Sequence, residues 1–134
     1  MKLEIVQPQF VDAAWKDGAD CLAEASETVG DITGSQLKLI LSRGERILVR
    51  LKDDESIIGW GVCRIDQLPN VRVMHITELV CHNNHFERFF DEFCAMARTT
   101  GASEVRFSGK DAQCRLFAHK CGFEKVYTTM RHAL

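Results

Sequence analysis

Residues 71–99 read VRVMHITELVCHNNHFERFFDEFCAMART, a strand pattern followed directly by a helix pattern. Residues 71–80 are rich in valine, isoleucine and threonine, which favours a β-strand. From residue 85 to residue 99 the apolar side chains recur at the helical period and form one stripe, at Phe86, Phe89, Phe90, Phe93, Cys94 and Ala97. Gly101 ends the predicted helix, and we expect the stripe to lie in the core. The connection between the strand and the helix contains no glycine.

The rest of the chain extends this strand and helix in both directions. The predicted elements are a strand at 3–6, a helix at 10–26, strands at 46–52 and 56–65, a strand at 104–107, a helix at 112–120 and a strand at 123–130. A second, short helix is predicted before Gly44, with an apolar face at Leu37, Leu39, Ile40 and Leu41. The acidic turn at 53–55 and the turn containing Pro69 make the three central strands a meander. Thr33 or Ser35 is expected to cap the second helix, and Gly122 to end the last one.

Length and composition indicate one folded domain spanning residues 1–134. The formal net charge of −2 argues against a general nucleic-acid binder. No apolar run approaches the roughly 20 residues needed to cross a bilayer, and residues 1–10 lack the pattern of a signal peptide. We therefore expect an intracellular, cytoplasmic protein with no membrane partner. Six cysteines lie among apolar residues and are expected to be reduced core thiols, at Cys21, Cys63, Cys81, Cys94, Cys114 and Cys121.

The order of the elements combines antiparallel strands with a crossover connection through the long helix. Together with residues 114–123, CRLFAHKCGF, this order resembles the GNAT family of acyltransferases, whose closing helix ends in Gly-Phe before a final strand. The resemblance covers essentially the whole chain. It implies an α/β (α+β) fold with a mixed, mostly antiparallel central sheet and about four helices.

Within that family, a divergent branch carried by bacteriophages is the more similar one. Residues 89–93, FFDEF, and residues 108–110, SGK, followed by residues 115–117, RLF, carry this likeness. Some members of the branch are small internal virion proteins of short-tailed phages. The resemblance therefore implies other virion proteins as partners and a location in the host cell or the virion.

The loop after the central strand departs from the family pattern. Typical members place glycines there, so that bare backbone N–H groups and a helix N-terminus hold the pyrophosphate of the cofactor, acetyl-CoA. This chain has 81–86, CHNNHF, and no glycine occurs between Gly61 and Gly101. Asparagine tolerates positive φ better than most residues and partly substitutes for glycine. The resemblance implies cofactor contacts along the strand and loop, at Leu79, Val80, Cys81, Asn83 and Asn84.

The family uses a carboxylate to take a proton from the acceptor amine and often a tyrosine to protonate the departing thiolate. Glu78, beside the loop, is the predicted base. Where the tyrosine is expected, this chain has Phe117 or Ala118, and neither transfers a proton. Tyr127, the only tyrosine, is predicted to pack within the last strand.

Two other motifs have both a structural and a functional interpretation. Cys81, His82 and His85 lie too close together in sequence for a structural zinc site, and we predict no metal. The histidines are interpreted as exposed groups beside a helix capped by Asn84. The motif 59–61, GWG, indicates either a β-bulge or a close approach of ligand backbone.

Two functions are consistent with these observations. The first is a catalytically degenerate GNAT-fold protein that serves as a binding or virion-assembly component, which the missing glycines and tyrosine narrowly favour. The second is an acyl-CoA-dependent N-acyltransferase acting on a small-molecule or protein amine, with acetyl-CoA as cofactor.

Overall fold

The structure, a computed structural model, describes residues 1–27, 30–82 and 86–134. Five strands are present, namely β1 (Lys2–Val6), β2 (Ile47–Asp53), β3 (Ser56–Gln67), β4 (Arg72–Cys81) and β5 (Glu104–Phe107). Five α-helices accompany them, namely α1 (Val11–Lys16), α2 (Leu22–Ser26), α3 (Gly34–Ser42), α4 (Phe86–Thr99) and α5 (Asp111–Cys121). None of the helices in these ranges is long and apolar enough to cross a membrane.

The strands form one sheet in the order β1-β2-β3-β4-β5. The first four strands are antiparallel neighbours, and β5 is parallel to β4. A parallel pair needs a crossover connection, and α4 supplies it between β4 and β5. The predicted mixed, mostly antiparallel sheet is therefore confirmed.

Helices cover both faces of the sheet. The side chains of α1, α2 and α3 pack with Val62 and Trp60 on one face. On the other face, α4 and α5 enclose the larger cluster, in which Phe89 and Phe93 are fully buried. The phenylalanine stripe is therefore core, as predicted.

The helix predicted at 10–26 is instead two helices. Between α1 and α2, Gly18 adopts a φ of 125°, a backbone conformation that residues with a side chain rarely adopt. The apolar spacing continues through this break because both short helices pack on the same cluster, where Ala14 and Leu22 are fully buried. The next helix, α3, begins at the predicted cap: Thr33 and Gln36 form a capping box.

The strand predicted at 123–130 is absent: residues 122–134, all described, contain no strand. Gly122 ends α5 in the left-handed conformation, and Phe123 packs its ring 5.4 Å from that of Phe90. Beyond it the segment is exposed, and the predicted packing of Tyr127 is wrong because 70% of this residue is accessible. Strand propensity is realised only beside a partner strand, and this segment has none within the described chain.

Gly59 adjoins a β-bulge, whereas Gly61 pairs regularly with Val49 and Leu79. Leu51 pairs with Gly59 and Lys52 with Ile57, so that β3 carries one extra residue. A Cβ atom on Gly59 would lie 2.6 Å from the carbonyl oxygen of Val80. The bulge and the close backbone of β4 therefore account for this glycine without a ligand.

The cysteines differ in their burial. Cys63 is buried in the sheet, but Cys21 and Cys114 are exposed. The prediction of a core thiol is wrong for these two residues, because each lies on the outward face of its helical turn. Burial, followed by the nearby negative charge of Glu78, raises the pKa of Cys63 to about 12.

Candidate functional site

Strands β4 and β5 pair over only four residues and then diverge. Val73 to Ile76 of β4 lie opposite Glu104 to Phe107 of β5, and a 3.4 Å contact from Ser108 N to the Ile76 carbonyl oxygen follows. The remainder of β4, residues 77–81, has no strand beside it on this side in the described chain. We call the opening beside residues 77–81 the gap. The edge of a strand is a place where an extended ligand can pair as an added strand.

On the α4 and α5 side of the sheet, the gap leads into a cavity of about 310 Å³. We call it the inner cavity. Its apolar wall consists of Leu79, Cys81, Phe86, Leu116 and Phe117. Arg88 and Lys120 provide positive charge at its edge, where Lys120 Nζ lies 3.9 Å from Glu87 Oε2. A mostly apolar pocket with a few polar groups is the usual form of a small-molecule site.

The structure divides the predicted cofactor residues. Leu79 and Cys81 line the inner cavity. Val80 points to the opposite face and packs against the α1–α3 cluster. Asn83 and Asn84 lie outside the described residues, as does His85.

A second bulge sets which way the β4 side chains face at the gap. Val62 pairs with Glu78 and Cys63 with Ile76, so that Thr77 is the extra residue of β4. Because the bulge shifts the alternation by one residue, Ile76 and Leu79 both lie in the α4 cluster. Glu78 then faces the other side of the sheet, beside Val62.

Glu78 is only 7% exposed, and both of its carboxylate oxygens have partners. Its Oε1 lies 3.5 Å from Arg46 Nη1, and the hydroxyl of Thr77 donates a hydrogen bond to its Oε2. A carboxylate offers about four acceptor positions, so these two partners leave room for a proton from a bound amine. Nothing in the sequence pattern indicated Arg46, which lies 32 residues away from Glu78 in the chain.

Glu78 lines a wide open cleft of about 2370 Å³, whose lining extends from α2 and α3 past β5 to α4 and α5. We call it the outer cleft. Residues 122–131 of the C-terminal segment form its far wall. The outer cleft and the inner cavity share four lining residues, Leu79, Gln113, Phe117 and Cys121, and are therefore adjacent across the gap.

His75 and Ser108 also line the outer cleft, at the point where the strands diverge. The Nε2 atom of His75 lies 2.6 Å from the hydroxyl of Ser108, and its Nδ1 lies 3.8 Å from Asp66 Oδ2. Arg64 donates two hydrogen bonds to the Asp66 carboxylate. These residues were not predicted from the sequence, because only the parallel pairing of β4 with β5 brings Ser108 beside His75.

The charges around His75 affect its titration. Burial is the largest cause that lowers its pKa below 6.5, and the positive charge of Arg64 lowers it further, while Asp66 opposes the shift. The pKa of Asp66 is lowered below 3.8, mainly by the hydrogen bonds that its carboxylate accepts from Arg64. A neutral imidazole beside an ionised carboxylate is therefore the state near pH 7.

Phe117, at the position where the family often has a tyrosine, is packed in an aromatic cluster. Phe117 is 5% exposed, and its ring centroid lies 4.4 Å from that of Phe86. Tyr127 is exposed in the C-terminal segment. Within the ranges that the structure describes, no three histidine, cysteine or acidic side chains group as metal ligands do.

Solved structures match this arrangement over its whole length. One is a probable acetyltransferase, 15% identical, with a TM-score of 0.70 over 100% of this chain and 97% of the other. Another is a ribosomal-protein-alanine N-acetyltransferase from Brucella melitensis biovar Abortus 2308, 9% identical, with a TM-score of 0.72 and full coverage of both chains. The chain has the GNAT fold. A glucosamine-6-phosphate N-acetyltransferase from Arabidopsis thaliana, 16% identical, matches with a TM-score of 0.64 over 99% of each chain.

At such low identities the similarity establishes the GNAT fold and not the activity. No protein-family model and no curated protein sequence matches the chain.

Proposed function

We propose that the protein is an acyl-CoA-dependent N-acyltransferase that uses acetyl-CoA and transfers the acyl group to an amine. The observation that supports this most is the divergence of β4 from β5. It leaves the edge of β4 at residues 77–81 open between the inner cavity on one side and Glu78 on the other. A donor and an acceptor would then meet across the gap.

The residues present fit the donor. An extended chain that carries amide groups, such as the pantetheine arm, pairs with the edge of β4 as an added strand does. Leu79 and Phe117 provide the apolar wall of the inner cavity, and Arg88 and Lys120 provide charge for phosphate groups. In typical family members, backbone N–H groups at glycines bind the pyrophosphate of the cofactor. In this proposal the cationic side chains, together with Asn83 and Asn84, bind it instead.

The acceptor amine enters from the outer cleft. Glu78 takes the proton that the ammonium form of the amine must lose before its nitrogen can attack the thioester carbon. Arg46 and Thr77 hold the carboxylate in place for this transfer. The acceptor is a small-molecule amine or an amine on a protein, since the outer cleft is open enough for either.

Thermal unfolding with and without millimolar acetyl-CoA tests the donor site. A ligand at 100 times its Kd stabilises the folded state by about 2.7 kcal/mol, and we expect a corresponding rise in Tm. Arg88→Gln combined with Lys120→Gln should reduce the rise, whereas Arg43→Gln, at an exposed arginine after α3, should not. No change in Tm with the unmodified protein would overturn the proposal.

The transfer itself is tested by thiol release from acetyl-CoA in the presence of a panel of amines. An amine-dependent release that Glu78→Gln removes would support both the reaction and the assigned base. Release that is independent of every amine would indicate thioester hydrolysis instead.

The hypothesis of a virion-assembly component remains a prediction. The exposed C-terminal segment, where Val126 and Met130 are 59% and 89% accessible, offers apolar surface to a partner protein. The named acetyltransferase structures give a phage role no support. Presence of the protein in purified phage particles would establish that role, and its absence there would remove it.

A further inference from the structure

Ser108 and His75 form a hydrogen-bonded pair at the point where the gap opens. His75 lies opposite Arg106 in the β4–β5 register, and Ile76 lies opposite Phe107 as the last residue pair. Ser108 follows directly, so its hydroxyl is at the closed end of the gap. Its distance of 2.6 Å to His75 Nε2 is that of a strong hydrogen bond.

The pair lies on the same side of the sheet as Glu78, and all three residues line the outer cleft. The side chain of His75 is 17% exposed, while Ser108 is open to the cleft. A reacting group at the closed end of the gap therefore meets the hydroxyl of Ser108 first, with His75 behind it.

Charged groups surround His75 on three sides. Asp66 and Arg64 face it from β3, Arg106 faces it from β5, and Arg46 approaches from the start of β2. Asp66 Oδ2 lies 3.8 Å from Nδ1, near enough to stabilise a positive charge on the imidazole. The arrangement of carboxylate, imidazole and hydroxyl allows a proton to enter and leave through Ser108.

We propose that Ser108 and His75 form a proton relay that carries the second proton of the acceptor nitrogen to the sulfur of the leaving group. This inference rests on the proposed acyltransferase function. In this relay Ser108 is the catalytic residue that contacts the reacting atoms, and His75 is a positioning residue that acts through it. The relay supplies the acid that Phe117, in place of a tyrosine, does not.

The step balances in atoms and charge. Glu78 first removes one proton from the ammonium group. The neutral amine nitrogen then bonds to the thioester carbon and carries one proton more than the amide product needs. Ser108 Oγ accepts that proton as its own passes to His75 Nε2, and Asp66 faces the resulting imidazolium. The C–S bond breaks with its electron pair on sulfur, and the proton returns through Ser108 to form the thiol.

The relay requires a contact between the hydroxyl of Ser108 and the sulfur of CoA. Comparing the affinity for CoA with that for desulfo-CoA, which lacks the sulfur, tests this contact without turnover. A hydrogen bond contributes about 0.5–1.5 kcal/mol, so calorimetry should show CoA binding up to about tenfold more tightly than desulfo-CoA. Ser108→Ala should bring this ratio to one, whereas Ser56→Ala, at an exposed serine that starts β3, should leave it unchanged. An equal ratio in Ser108→Ala and the unmodified protein would overturn the relay but leave the proposed function intact. If neither ligand binds, both proposals fall.

A kinetic comparison then distinguishes the relay from a structural role. With acetyl-CoA, Ser108→Ala should lower kcat by about 10²-fold with little change in KM, and Ser108→Thr should restore most of it. With an acetyl ester of an aromatic thiol the loss should be much smaller, because that thiolate leaves without a proton. His75→Gln should show the same dependence on the leaving group. Equal losses with both donors would contradict proton transfer to sulfur.

Discussion

The guanidinium Nη1 of Arg46 lies 3.5 Å from Oε1 of Glu78, and the two side chains are only 19% and 6% exposed. A pair so far removed from water is costly to separate, because the remaining charge loses both its partner and its hydration. The pair holds a carboxylate at the gap, on the outer side of the sheet.

Glu78→Gln should lower activity more than stability. The amide keeps a hydrogen bond to Arg46 but cannot accept the proton, so we expect kcat to fall by at least about 10²-fold. The free energy of unfolding should fall by about 1–3 kcal/mol, since Arg46 loses its counter-charge. Acetyl-CoA should still raise Tm. Glu4→Gln, at an ion-paired glutamate on β1, is the control and should retain full activity; unchanged activity in Glu78→Gln would remove Glu78 as the base.

The C-terminal segment should contribute to stability through its first aromatic residue only. Phe123 packs on Phe90 and Phe117, and because it is half-buried its replacement by alanine should cost about 1–2 kcal/mol, less than a fully buried ring. Tyr127→Ala is the matched control in the same segment and should change the unfolding free energy by less than about 0.5 kcal/mol. Denaturant titration measures both. A large loss in Tyr127→Ala would show that residues beyond Phe123 pack in solution.

Gly59→Ala should be strongly destabilising. The new Cβ would lie 2.6 Å from the Val80 carbonyl oxygen and 3.0 Å from Cys81 Cα, so β3 and β4 must move apart, at about 1–3 kcal/mol or more. The displaced β4 should also weaken stabilisation by acetyl-CoA. Gly122→Ala, where no atom lies near the new Cβ, should cost only about 1–2 kcal/mol for its positive φ and leave acetyl-CoA binding intact. Equal effects of the two variants on acetyl-CoA binding would contradict the prediction that the position of β4 beside Gly59 affects the site.

Stability should depend on pH through His75. Its pKa in the folded protein is lowered mainly by burial, so between that value and 6.5 the unfolded chain binds more protons. The stabilisation is therefore fully present above pH 6.5 and is lost as the pH falls through the lower folded-state pKa. His75→Gln should flatten this part of the profile in urea titrations between pH 7.5 and 5. The pKa of Asp66 lies below 3.8, so its titration affects stability only in more acidic solutions. An unchanged slope of unfolding free energy against pH in His75→Gln would contradict the assignment to His75.

Much of the fold follows from local sequence signals. The strand at 104–107 has the predicted bounds, and the helix at 112–120 is one residue longer at each end. The phenylalanine stripe correctly predicted the buried face of α4, because helical periodicity reports burial directly. The split between α1 and α2 was missed, since the apolar spacing continues across Gly18.

The site was predictable only in part. The sequence predicts Glu78 from its place beside the loop, and Leu79 and Cys81 from the course of the strand, and the structure places all three at the gap. Val80 faces away from Leu79 and Cys81 because successive side chains of a strand alternate. The bulge at Thr77 sets which face of the sheet Glu78 occupies, and a bulge of this kind has no short sequence signature. Arg46, His75 and Ser108 come from distant segments and carry no shared motif.

The sequence by itself determined most of the strands and helices, from β2 to α5, since periodicity, capping residues and glycine positions act over a few residues. The tertiary structure alone decided where β4 and β5 part, which face Glu78 occupies, that Ser108 lies beside His75, and that residues 123–130 form no strand. Each of these depends on pairing between segments far apart in the chain. Such pairing is set by the packing of the whole sheet and its helices, which no local pattern encodes.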